Sequence, residues 1–541
     1  METACKTLGT MLDCSRNAVM TVDTVKRWID LTARLGFNTL LLYMEDTYEV
    51  DGDPYFGHLR GRYSKAELKQ IDACAQAHQM QVIPCVQTLA HVNALFHWPV
   101  YRQIQDAGDV LLAEDAQTYA LIDRMFQTLH ECLHTKIVNI GMDEAELLGL
   151  GKYLTLHGYQ DRFGILLRHL RKLSDMAKKY DFELLMWGDM FFRLAGGDYF
   201  TNFNQNPTLG EIPAEIKRLV PENVHLVYWD YFSRDRQSYA RNIDAHNAIK
   251  PGSWFAGGLW TWAGFAPHNL FSIRTMREAV KACREKNVEN VFMTMWGDNG
   301  AECSKFAVLP SLFTVSQLAR GIEDEAVIRE NFEREFGIPF ESFLALDLTG
   351  TQNASAEAIY NPEKYLLYCD PFMGQFDNRV RLGESENYAA CAARLAKYEN
   401  HAEFGDLFRT MRALCEFLRI KAELGIRTRA IYRAGDKAGA KKVCAEFDAA
   451  IERLGAFYTA YEKQWMRENK PQGFDVIDLR LGGQRQRLLH CRDRLLAYAQ
   501  SRLDRLEELE EPVLDCNCEE HADGQATRAI FWHEMASANI I

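Results

Sequence analysis

Over roughly its first 320 residues the chain alternates short apolar runs with longer amphipathic stretches, and this alternation is the signature of repeated βα units. Eight runs stand out: Thr7 to Asp13, Asn38 to Glu45, Gln81 to Thr88, Lys136 to Asp143, Glu183 to Gly188, Val224 to Asp230, Ala256 to Trp262 and Asn290 to Gly297. Helical patterns separate them, among them Val22 to Leu35 with Thr21 as N-cap, Lys65 to His78, Gln117 to Leu133, Phe163 to Tyr180 and Ile273 to Lys286. A doubly wound open sheet would need a glycine-rich phosphate turn after an early strand, and none is present. Eight parallel strands therefore predict a closed (β/α)8 barrel over residues 1–322. From residue 323 to 541 the pattern turns helical, with Glu386 to Lys397, Phe404 to Ile426, Gly439 to Lys463 and Leu479 to Leu506 carrying apolar residues at helical spacing.

The apolar runs end on polar or aromatic residues: Asp13 and Arg16, Glu45 and Asp46, His91, Asp143 and Glu144, Trp187 and Asp189, Tyr228 and Asp230, Trp260 and Trp262, Trp296 and Asp298. In this fold the C-terminal ends of the strands build the site. Asp143 and Glu144 are adjacent at the end of run four, so they point in different directions and can take different tasks, as glycosidic bond cleavage requires. Tryptophans at strand ends (Trp187, Trp260, Trp262, Trp296) suit the flat apolar faces of a sugar ring.

Taken in order, these motifs resemble glycoside hydrolase family 20, the β-N-acetylhexosaminidases. Ile140-Gly141-Met142-Asp143-Glu144 is similar to that family's His-Ile-Gly-x-Asp-Glu signature, Asp13 to Arg16 to its Asp-x-x-Arg, Ala90-His91 with Ala94 to its Gly-His-x-x-Ala, Tyr228-Trp229-Asp230 to its Tyr-x-Asp, and Trp296-Gly297-Asp298 to its closing Trp-x-Glu. The stretch Leu42 to Tyr63 is most similar to the branch that includes hexosaminidase D. Asn139, Gln87 and Asp298 depart from the pattern, standing where the family has His, Asp and Glu. The resemblance implies substrate-assisted retention. Glu144 would be the general acid and then base, Asp143 the acceptor for the acetamido N–H, and Tyr228 the donor to the acetamido oxygen. Arg16 would clamp ring hydroxyls, Asp298 would take the 4- or 6-hydroxyl, and Asp46, His91 and Glu144 would form a proton relay, with Asp46 ranked above Glu45. Asp230 would also lie among the substrate-binding residues, and Trp187, Trp260, Trp262 and Trp296 would enclose the sugar.

Net charge is −13 across 541 residues, so the basic footprint of a nucleic-acid or anionic-membrane partner is missing. Met1 to Lys6 is too polar for a signal peptide, no apolar run approaches a bilayer's thickness, and the 14 cysteines are scattered, which together predict a reduced cytoplasmic protein. Cys516, Cys518 and His521 form the one tight metal-like cluster but lack a second half, so no metal or organic cofactor is expected. The helical region offers a surface for a homodimer. Two rivals remain: a Mg2+-dependent barrel enzyme using the strand-end carboxylates, against which no strand-end lysine stands as a base, and a non-catalytic amino-sugar-binding protein.

Overall fold

The computed structural model describes residues 5–195, 212–350, 359–381, 383–516 and 532–535; Cys518 and His521 lie outside them. Eight parallel strands close in sequence order into a barrel: β1 (Thr7–Asp13), β2 (Thr39–Tyr43), β3 (Gln81–Cys85), β4 (Ile137–Asn139), β5 (Glu183–Trp187), β6 (Val224–Trp229), β7 (Trp254–Gly258) and β8 (Asn290–Met295). Closure is made by β1 on β8, with Thr7 opposite Asn290 and Leu12 opposite Met295.

Every residue of β1 and β2 is buried, as expected of parallel strands covered on both faces. Helix Val22–Arg34 shows how the sequence achieves that cover. Thr21 caps it by accepting from Thr24 N–H at 3.2 Å, which stabilises the helix by about 1 kcal/mol. Its fully buried Trp28 then donates to Thr10 Oγ1 on β1 at 3.0 Å, satisfying the indole while its rings fill the barrel wall.

The seventh run is displaced from expectation. The strand occupies Trp254–Gly258 and ends at a glycine pair, so Trp260 and Trp262 lie beyond it, and the Trp260 carbonyl accepts from His268 N–H at 3.1 Å within a loop. Aromatic β-formers carried the sequence pattern past the point where ladder bonding stops.

The chain divides into two interleaved compact units, one of residues 1–259, 272–296 and 312–328, the other of residues 260–271, 297–311 and 329–541. The first holds the barrel. In the second, helices Glu384–Leu395, Gly405–Lys421, Lys437–Glu468 and Phe474–Ala499 pack together, and the loops after β7 and β8 are fastened by helix Pro362–Tyr368 and its approach. Asn361 Nδ2 donates to Ala263 O at 2.7 Å, Ala266 N–H to Glu363 Oε1 at 3.2 Å, and Lys364, fully buried, pairs with Glu302. Arg480 completes that pair from helix Phe474–Ala499, reaching Glu302 Oε1 at 2.9 Å and Asn299 O at 2.6 Å. Among the described residues no helix is long and apolar enough to cross a membrane.

Candidate active site

At the end of β1, Asp13 organises the turn that follows. Its Oδ1 accepts from Ser15 N–H and Oγ at 2.9 and 2.8 Å, and its Oδ2 from Arg16 Nη1 at 3.3 Å. Arg16 is thereby held with its guanidinium over the rings of Tyr43 and Trp296, 5.1 and 5.2 Å from their centroids, and 3.6 Å from Glu45 Oε1. Burial, only partly offset by the Arg16 charge, raises the Glu45 carboxyl to about 7.

Asp143 and Glu144 meet one imidazole. His91 Nε2 lies 3.4 Å from Asp143 Oδ2 and 3.4 Å from Glu144 Oε2. Burial disfavours charge on both His91 and Asp143, but their mutual attraction wins, holding the imidazole well above its usual range and the Asp143 carboxyl below its own. On the other side of Asp143, Oδ1 accepts from Gln87 Nε2 at 2.8 Å. The turns that deliver these groups are strained: Glu45, His91, Met142 and Glu144 have φ of 51°, 55°, 69° and 50°, a region L-residues adopt at a cost. Asn139 supports the same turn, its Oδ1 accepting from Gly141 N–H at 2.9 Å.

Glu144 has a second cationic neighbour that the sequence did not suggest. Arg193, on helix Asp189–Leu194, spreads over three carboxylates: Nη2 to Glu144 Oε1 at 3.1 Å, Nη1 to Glu146 Oε1 at 2.5 Å and Nε to Asp189 Oδ2 at 2.9 Å. Asp189, fully buried, also accepts the backbone N–H of Glu144 at 3.0 Å; burial and the nearby Asp143 charge raise its carboxyl to about 7. The only local clue was the four-residue spacing of Asp189 and Arg193 on one helix face.

Among the aromatic residues, Trp187 and Trp296 come together, with ring centroids 6.0 Å apart, and Trp296 meets Tyr43 edge-on at 4.6 Å. Trp187 Nε1 is buried without a hydrogen-bond partner among the described residues. Trp260 and Trp262 stack on each other at 4.1 Å; they and Asp298 belong to the second compact unit.

Three expected residues face elsewhere. Tyr228 is 1% exposed and packs on His246 of helix Arg236–Ile249; its hydroxyl donates to Asp230 Oδ2 at 2.6 Å and accepts from Asn242 Nδ2 at 3.2 Å. Asp230 is consumed by the turn, taking Phe232 N–H, Ser233 N–H and Ser233 Oγ at 2.9, 3.0 and 2.6 Å as well. Tyr231 instead meets the tryptophan beside Arg16: its hydroxyl accepts from Trp296 Nε1 at 2.9 Å, and its ring lies 5.4 Å from Trp229. Asp46 pairs with Arg60 at 2.9 Å rather than with His91. The carboxylate at the outer side of His91 is Asp109, 3.8 Å from Nδ1 and accepting from His91 N–H at 3.1 Å. Asp109, not Asp46, is therefore the carboxylate beside His91 Nδ1, and Asp46 is engaged by Arg60. Glu45, ranked lower from sequence, is the member of its pair that meets Arg16.

A closed parallel barrel carrying an acid pair, an imidazole, a guanidinium and tryptophans on its C-terminal strand ends has the build of a carbohydrate-cleaving hydrolase. The chain belongs to glycoside hydrolase family 20: residues 8–254 match the family's catalytic domain and residues 339–528 match the glycoside hydrolase 20C C-terminal domain. Human hexosaminidase D is 28% identical over 227 residues, covering 40% of this chain and 41% of the relative, so the chain spans about two fifths of that protein's length. Bovine hexosaminidase D is 25% identical over 341 residues, covering 58% of this chain and 89% of the relative. A solved structure of a Vibrio harveyi exo β-N-acetylglucosaminidase of this family superposes with a TM-score of 0.45 at 14% identity, covering 64% of this chain and 58% of the other.

Proposed function

We propose that this protein is an exo-acting β-N-acetylhexosaminidase that releases terminal β-linked N-acetylglucosamine or N-acetylgalactosamine with retention, the nucleophile being the acetamido oxygen of the substrate. The observation that carries the reading is the division of labour within the acid pair. Asp143 is buried and held as an anion between His91 and Gln87, which suits a fixed acceptor, whereas the Glu144 side chain is 42% exposed, which suits a group that exchanges protons with substrate and water. In the first step the acetamido oxygen bonds to the anomeric carbon as the glycosidic C–O bond breaks, and Glu144 gives its proton to the departing oxygen. Asp143 accepts the acetamido N–H and offsets the positive charge that grows on that nitrogen. In the second step Glu144 takes a proton from water as the water oxygen attacks the anomeric carbon and opens the oxazolinium ring. His91, seated between both carboxylates and backed by Asp109, keeps their separation and their charge in balance. Arg16 and Glu45 receive ring hydroxyls, and Trp187 and Trp296 supply apolar contact. Tyr231 takes the place expected of Tyr228 as donor to the acetamido oxygen. Trp262 and Asp298 enter this reading from sequence alone.

Turnover of a chromogenic β-N-acetylglucosaminide, its inhibition by a thiazoline mimic of the oxazoline, and its survival in EDTA are the expected results. Glu144→Gln should lose poor leaving groups first, and an undiminished rate on them removes Glu144 from the acid role. Asp143→Asn should lower kcat more than it changes KM.

A further inference from the structure

The amide of Gln87 lies in the turn after β3, directly beneath the acid pair, and all its hydrogen-bonding atoms are engaged. Its Oε1 accepts from Met142 N–H at 3.2 Å, and its Nε2 donates to Tyr43 Oη and to Asp143 Oδ1, both at 2.8 Å. The direction of these bonds is fixed by chemistry. A backbone N–H can only donate, so the Gln87 atom facing Met142 must be the oxygen, and the atom facing Asp143 must be the nitrogen. The fit has been made at the backbone as well. Gly141 has φ of 70°, and a Cβ there would fall 2.0 Å from Gln87 Oε1, so the amide occupies the space that a side chain would fill.

We propose that Gln87 is a positioning residue that makes Asp143 a one-way acceptor, fixing Oδ1 with a donor that cannot take a proton, so that Oδ2, beside His91 Nε2, keeps its remaining acceptor capacity for the substrate N–H. This inference rests on the function proposed above. Its physical content is a contrast of donors. A carboxylic side chain at residue 87 would put two carboxylates at hydrogen-bond distance, and such a pair retains one proton because both cannot ionise together. An amide never competes for that proton. The remaining charges about Asp143 are His91 from the β3 turn, Glu144 from its own turn and Asp189 from helix Asp189–Leu194, with Arg193 beyond Asp189 and Arg16 and Glu45 beyond Tyr43. His91 and Gln87, both from the turn after β3, hold the carboxylate by hydrogen bonds.

The test is the pH profile of kcat/KM for wild type, Gln87→Glu and Gln87→Met on a chromogenic β-N-acetylglucosaminide, with folding checked by circular dichroism. Gln87→Glu should raise the acid limb by about one pH unit or more, as expected for a carboxylate pair sharing a proton, and should recover most of its activity above that limb. A limb that stays in place overturns the assignment. Gln87→Met keeps the bulk but loses the donor, and should lower kcat by about tenfold or more with KM little changed, the pattern of a lost transition-state contribution. If Gln87→Glu does not fold, this variant decides alone, and an unchanged kcat overturns the proposal. Absence of turnover by the wild type removes the functional reading and this inference with it, whereas turnover with an unmoved limb and an unchanged Gln87→Met removes only the role of Gln87.

Discussion

Tyr228 and Tyr231 are three positions apart and make different contacts. The Tyr228 hydroxyl closes a buried network with Asp230 and Asn242, so Tyr228→Phe should cost about 1–3 kcal/mol of stability, read as a lower Tm, and leave kcat largely intact. Tyr231→Phe should show the reverse, a kcat lower by about 10²-fold if its hydroxyl polarises the acetamido group, with Tm little moved. The sequence favoured Tyr228 because its spacing to Asp230 matches a motif. In a parallel strand both faces are apolar, so alternation does not tell which side chain meets the helices and which the barrel mouth. Glu45 and Asp46 illustrate the same limit: adjacency was legible, but the left-handed turn that aims Glu45 at Arg16 was not. Glu45 also carries a pH signature. Its carboxyl is raised from 4.5 to about 7 in the folded protein, so the native state binds the extra proton and stability falls as pH rises through that window. Glu45→Gln should flatten this slope in urea denaturation followed from pH 4.5 to 7; an unchanged slope rejects the assignment.

The positions of the eight strands were largely legible, but two ends slipped: β4 stops at Asn139, four residues before Asp143, so the acid pair sits on a turn beyond the strand, and β7 stops at Gly258, where aromatic residues continue past a glycine pair. What the sequence could not supply were contacts between turns. Arg193 on its short helix reaches Glu144, and Asp109 in a loop reaches His91, at separations of 49 and 18 residues. The turn after β4 is the element on which most depends. Gly141→Ala adds a left-handed alanine, a cost of about 1–2 kcal/mol, and also drives the new methyl into Gln87. Both a lower Tm and a loss of kcat should follow, measured by thermal melting and steady-state turnover, whereas a loss of Tm alone would mean the turn does not set the acid pair.

At the scale of the molecule, a buried charge cluster is among the contacts that tie the helical region to the loops that follow β7 and β8. Glu302 is 1% exposed at its side chain and receives both Lys364 and Arg480. Lys364→Met leaves that carboxylate with one cation in a dry setting, and should cost about 3–5 kcal/mol, seen as a lower first transition in calorimetry of the full chain. A change within about 0.5 kcal/mol would show the pair to be incidental. That the sequence divided the chain into a barrel and a helical region, yet did not show two barrel loops packing with the helices, follows from the nature of the tie. It is made by single buried side chains, Asn361, Glu302 and Lys364 among them, which leave no periodic trace.

The left-handed residues at the strand ends carry a local conformational cost. Glu45, His91, Met142 and Glu144 each hold an L-side chain where glycine would sit without conformational cost, a difference of about 1 kcal/mol apiece. Glycine at any of the four would relieve that local cost but remove the side chain the turn carries, so the strand-end turns hold their side chains in place against a conformational penalty.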